Sequence, residues 1–226
     1  MRNKDFAVLV HGLGGSRLDM WPIARRLNRL GFRVKNWGYR SIGNGIETHA
    51  DRLAKELLTI DKDLHESKFH LVTHSMGGII ARNLFANARF ENLGRVVMLA
   101  PPHRGSHAAR QLAPFIGWLS PSLKQLSDDS DSYVNSLANS LKQNEIEFGI
   151  VEAVKDRVIA SGSVNLDGHR DFARVDGHHG VLTWYRETIQ LVENFLIRGS
   201  FSFVESEPED YPRQTSAECL TLEGGS

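Results

Sequence analysis

Residues 68–83, KFHLVTHSMGGIIARN, decide how the rest of the chain is read. A β-prone apolar run ends in Thr73-His74-Ser75-Met76-Gly77-Gly78, and a helical pattern follows. A serine between a strand end and a helix start, with glycine two residues on, forces a tight turn that lifts the hydroxyl above a sheet. Ser75 is therefore a candidate nucleophile. The usual form of such a turn is Gly-x-Ser-x-Gly, because side chains flanking the serine must be small. Here Thr73 replaces the first glycine; a β-branched residue suits the strand but crowds the turn. Alone, Ser-x-Gly-Gly equally describes a helix N-cap, so the neighbouring segments decide.

Outward from this stretch, short β-rich runs alternate with longer amphipathic ones. Strands are expected at residues 6–10, 32–37, 69–73, 95–99, 147–154 and 172–175, and helices at 20–30, 46–64, 77–88 and 184–197. This alternation predicts an α/β fold, a mostly parallel sheet with helices on both faces. Ligands then bind beyond the carboxyl ends of the strands.

Three segments fall at those ends. HGLGGS, residues 11–16, follows the first strand. A Gly-rich loop there turns backbone amides toward one point, as acyl transfer needs where charge develops on a carbonyl oxygen; the amides of Leu13 and Met76 are the expected donors. A dinucleotide site is the competing reading. It lacks Gly-x-Gly-x-x-Gly, Gly-Lys-Ser/Thr and an acid at the end of the 32–37 strand.

The run 147–156 ends at Asp156, whose carboxylate can hold the second N–H of a histidine. Asp167 and Asp171 precede the next strand, and Asp176 sits beside the histidines in sequence, so all three are weaker choices. His178 and His179 follow the last strand. The order Ser75, Asp156, histidine is that of one serine-hydrolase fold among several with triads.

Residues 101–144 interrupt the alternation. Pro101, Pro102, Pro114 and Pro121 lie there with an apolar group around Phe115, Ile116, Trp118 and Leu119. A connection this long inside a compact domain reads as a lid or small cap. Residues 205–226 are polar and without periodicity, a loose tail, which leaves 1–200 as one domain.

Composition narrows the class. The chain has 226 residues, 41% hydrophobic, with 27 basic and 27 acidic side chains. That balance provides no field for nucleic acid or an anionic membrane. The one cysteine, Cys219, excludes an intramolecular disulfide framework. No segment is apolar for long enough to span a bilayer, and a cytoplasmic location is expected. His11, His70, His74 and His103 lack a paired spacing with an acid, so neither a metal site nor a cofactor is read.

With strand, glycine loop, serine turn, acid and histidine in order, the chain resembles the α/β-hydrolase superfamily over residues 6–196. HGLGGS, THSMGG and VVMLAPPHRGS (residues 96–106) are similar to its lipase and esterase branch, including class 2 bacterial lipases and GPI inositol-deacylase-like enzymes. The resemblance implies a cofactor-free serine hydrolase acting on carboxylic esters, small or lipid, with a sheet ordered 4-3-5-6-7-8 in the family's strand numbering. It also implies that the catalytic histidine precedes a helix leading to a Phe-Leu pair. Aligning that pair with Phe195-Leu196 favours His179, since His178 would turn Glu187 and Asn194 inward; His178 stays open as the alternative base. Thioester or amide hydrolysis by the same triad, and an inactive binding protein of the same fold, remain as alternatives. Oligomeric state is not legible.

Overall fold

Strands buried on both faces read as largely apolar runs, and the central strands of this sheet do, broken by His70, Arg95 and Glu152. The computed structural model describes residues 5–137 and 146–202. β1 (Phe6–Val10), β3 (Phe69–His74), β4 (Leu93–Leu99) and β5 (Phe148–Ala153) form its middle; all six residues of β3 and of β5 are buried. The edge strands β2 (Arg33–Trp37) and β6 (Asp171–Val175) are only partly covered. The order is β2-β1-β3-β4-β5-β6, with every pair parallel. This is the order the resemblance implied.

Parallel neighbours need crossovers, and here these are helices. α1 (Trp21–Arg29) and α7 (Arg186–Arg198) pack together, while α2 (Ile46–Asp63) packs on α3 (Met76–Asn87). α3 is buried along nearly its whole length, as its apolar sequence requires. All strands therefore point the same way, and their carboxyl ends open on one edge of the molecule.

The helix expected from residue 184 begins later. A 3₁₀ helix, His179–Trp184, comes first, and Tyr185 in an extended conformation separates it from α7. Asn194, expected on the outer face of this helix with His179 as the base, is buried instead, its Nδ2 donating to the Phe201 carbonyl at 3.3 Å. A satisfied amide is tolerated inside, so polarity alone did not report the face.

Beyond β4 the chain turns at Ala100, whose φ is 44°. It then forms α4 (His107–Ile116), α5 (Pro121–Gln125) and α6 (Tyr133–Ser136). Ser106 caps α4, its Oγ accepting the Ala109 amide at 3.2 Å and donating to the Val158 carbonyl at 2.7 Å. Residues 138–144 of the expected insertion, and 205–226, lie outside the described residues.

Candidate active site

Ser75 sits in the turn between β3 and α3 with φ 52° and ψ −123°. A non-glycine residue there carries strain on the order of 1–3 kcal/mol, which the surroundings must over-determine. They do so by hydrogen bonds and by close contact. The Ser75 amide donates to the Leu99 carbonyl at 2.8 Å, and the Gly78 amide donates back to the Ser75 carbonyl at 2.9 Å. A Cβ on Gly77 would lie 2.7 Å from the Val10 carbonyl oxygen, and one on Gly12 would lie 2.9 Å from the Ser75 Cβ. Only glycine lets the 11–15 loop approach the serine this closely. Thr73 causes no such conflict because it lies within β3, paired with Val10 and Met98.

His179 comes from the far side of the sheet, after β6. Its Nε2 is 2.9 Å from Ser75 Oγ and its Nδ1 is 2.7 Å from Asp156 Oδ2. With Nδ1–H donated to the carboxylate, Nε2 is left as the acceptor facing the serine. Asp156 follows β5, and its second oxygen accepts the amides of Val158 at 2.7 Å and Ile159 at 2.9 Å. Burial works to raise the Asp156 pKa, but the His179 hydrogen bond, the charge of His179 and those two amides together hold it below its usual value. A carboxylate thus stays ionised beside the imidazole.

The other sequence candidates separate from this cluster. His178 turns outward, with Nδ1 3.2 Å from the Lys155 carbonyl. Asp176 pairs with Lys155, and Asp171 accepts the Phe201 amide at 2.6 Å and the Ser200 hydroxyl at 2.9 Å. Leu13 borders the same cavity as Ser75 and His179. Its amide finds no acceptor among the described residues. Met76 opens α3, where the first amide has no partner within the helix.

Two contributors were missed from sequence. His74, next to the serine, is buried; its Nε2–H donates to the His179 carbonyl at 3.0 Å, and the two rings lie 5.1 Å apart. Burial and the neighbouring His179 push its pKa down to about 4, so it stays neutral. The second is a cavity of about 220 Å³ at Ser75, walled by Leu112, Leu123, Leu126, Val158 and Ile159. Phe115 and Trp118, from the apolar group of the expected lid, are each 75% exposed and do not border it. Neither are they core.

Among the described residues no group of three or more His, Cys, Asp or Glu is gathered as metal ligands require. No helix there is long and apolar enough to cross a membrane.

A family profile described as "Putative serine esterase (DUF676)" matches residues 1–161. The chain belongs to that family. It is accordingly a carboxylic ester hydrolase, built on the α/β-hydrolase fold. No curated protein sequence matches the chain. Among solved structures it is similar to the mature Bacillus licheniformis lipase BlEst2, at 18% identity and TM-score 0.63 over 81% of this chain and 88% of that one. The lin2722 gene product of Listeria innocua aligns at 12% identity and TM-score 0.63, over 87% and 94% of the two chains. Phospholipase PlaB from Legionella pneumophila aligns at 19% identity and TM-score 0.53, over 67% of this chain but 39% of its own. The serine esterase described here thus spans well under half of that phospholipase. At these identities the structural likeness establishes the fold alone.

Proposed function

We propose that this esterase works through a Ser75-His179-Asp156 triad and a covalent acyl-enzyme. The observation that carries the reading is the unbroken hydrogen-bonded line Asp156–His179–Ser75 across three strand ends. His179 Nε2 takes the Ser75 proton as Oγ attacks the ester carbonyl. The Leu13 and Met76 amides receive the oxyanion. Asp156 stabilises the imidazolium, which then protonates the leaving alcohol, and water repeats the sequence to release the acid. None of these steps requires a metal or cofactor.

The acyl group occupies the cavity beside Ser75, whose aliphatic walls supply, among the described residues, no polar side chain beyond Ser106 and the triad itself. In this reading α4 and α5 act as a cap, since Leu112, Leu123 and Leu126 close the cavity from that side. A small or lipid ester is the substrate, and the cytoplasm is the proposed compartment, in keeping with a single cysteine.

A fluorophosphonate probe followed by a p-nitrophenyl ester series tests the proposal. Labelling at Ser75 and turnover that peaks at a chain length filling the cavity are expected. An unlabelled serine in an active preparation would end the triad reading. Hydrolysis of thioesters or anilides in preference to esters would move the leaving group, not the triad.

A further inference from the structure

A second cavity, of about 270 Å³, lies against α3 and is bordered by Arg82, His103, Arg104, Asn135 and Asn165, with Asp167 at its margin. Arg82 is seven residues after Ser75 on that helix, roughly 10 Å along its axis. The 102–106 loop separates the two cavities: Pro102 and Ser106 face Ser75, His103 and Arg104 face the second space. They are distinct sites.

The walls are unusual in what they leave unpaired. Arg82 is 3% exposed, yet among the described residues only its Nη1 is engaged, donating to the His103 carbonyl at 2.8 Å, and its Nε has no partner there. Among the described residues no carboxylate forms an ion pair with it. His103 is 2% exposed, and neither ring nitrogen has a hydrogen-bond partner among the described residues. Burial draws the Arg82 pKa down to about 10, and burial followed by the Arg82 charge holds His103 neutral. A buried guanidinium without an anion is costly, and its planar fork of donors matches a carboxylate or phosphate. Neutral His103 adds one further donor and one acceptor.

We infer that this cavity binds a small organic oxyanion, with the anionic group on Arg82 and Arg104 and a polar body against Asn135, Asn165 and His103. The volume argues for the body. At about 30 Å³ per water it holds roughly nine water volumes, more than an inorganic phosphate fills. The amides of Asn135 and Asn165 and the ring of His103 suit a ligand body that carries hydroxyl groups.

Calorimetric titration of the full-length protein with glycerol 3-phosphate, inorganic phosphate and acetate tests this. Saturable binding is expected, tightest for glycerol 3-phosphate. Arg82→Gln should weaken it about 10- to 100-fold, the range for a hydrogen bond to a charged group. Because Arg82 also holds the His103 carbonyl, that variant must pass a circular-dichroism check. Arg104→Gln, at an exposed side chain, should weaken binding severalfold without touching the fold. Sedimentation with phosphatidylcholine vesicles, with and without phosphatidic acid, separates sources: binding that needs phosphatidic acid and both arginines assigns the anion to a lipid headgroup. Ser75→Ala should bind every probe as wild type does, so the result stands apart from the esterase reading. No saturable binding to any probe, or binding that survives both arginine substitutions, would overturn the inference.

Discussion

The two sides of the Ser75 cavity are built on opposite terms. On the strand side, Ser75, His179 and Asp156 are each held by at least two directional contacts, and the serine backbone is strained into place. On the helix side, α4 and α5 offer aliphatic side chains with no such fixing, and Leu112 is half exposed. Directional contacts define one geometry, whereas apolar walls accept many shapes at similar free energy. The chemistry should therefore be intolerant of substitution on the first side, and selectivity should be adjustable on the second.

Ser75→Ala gives the sharpest contrast. Loss of a serine nucleophile costs about 10⁶-fold in kcat in a well-studied protease, and a fall of at least about 10³ in p-nitrophenyl ester turnover is expected. Turnover near wild type in purified protein would break the comparison outright. Asp156→Asn follows, at about 10⁴-fold, because the amide holds His179 in the wrong tautomer. Asp171→Asn is its control: it should leave kcat near wild type and lower stability by roughly 1 kcal/mol through the lost Phe201 and Ser200 contacts. Reversed behaviour of the two variants would mean the acid has been misassigned.

The next effect is on stability. His74 is buried neutral with a pKa of about 4, against 6.5 when unfolded. The unfolded chain therefore binds the extra proton between those values, and the fold loses stability as pH falls through that window. The loss is about 3 kcal/mol by pH 4, at ~1.36 kcal/mol per pH unit. Asp156 acts in the same direction, since its depressed pKa contributes stability that is lost as pH falls through the folded value. His74→Gln keeps an N–H for the His179 carbonyl and removes the titration, so its acid limb in urea unfolding should be flatter than wild type by that amount. Parallel limbs would show that His74 is not buried neutral.

Smaller effects belong to the helix side. Leu112→Trp should shrink the cavity and cut kcat/KM for long-chain esters about tenfold relative to acetate esters, with stability little changed. Trp118→Ala, at a side chain 75% exposed and away from the cavity, should alter either quantity by less than about 0.5 kcal/mol. A large loss with Trp118→Ala and none with Leu112→Trp would place the selecting surface elsewhere on the cap.

Legibility in the sequence followed the same division. Central strands were readable because burial on both faces forces apolar runs such as FAVLV, and the strand ends then pointed to Ser75, Asp156 and His179, which the structure brings within hydrogen-bonding distance. The choice between His178 and His179 rested on a helix face that a buried, hydrogen-bonded Asn194 contradicts. What separates the two side chains is direction, set where the 3₁₀ helix starts at His179. The cavity walls were not readable at all. Leu112, Leu123 and Leu126 look no different in sequence from Phe115 or Leu119, and only the packing of α4 on α5 turns the first three inward.

The order of the strands also sets a timetable. Ser75 and its turn depend on β1, β3 and β4, all complete once the chain has been made up to Leu99. Asp156 and His179 follow β5 and β6, and β6 pairs with β5 alone at the far edge. Synthesis proceeds from the N-terminus, and domains condense as segments become available. On the proposed triad, a growing chain carries its serine well before it has a base to activate it. On that reading, full esterase activity waits until β6 docks on β5.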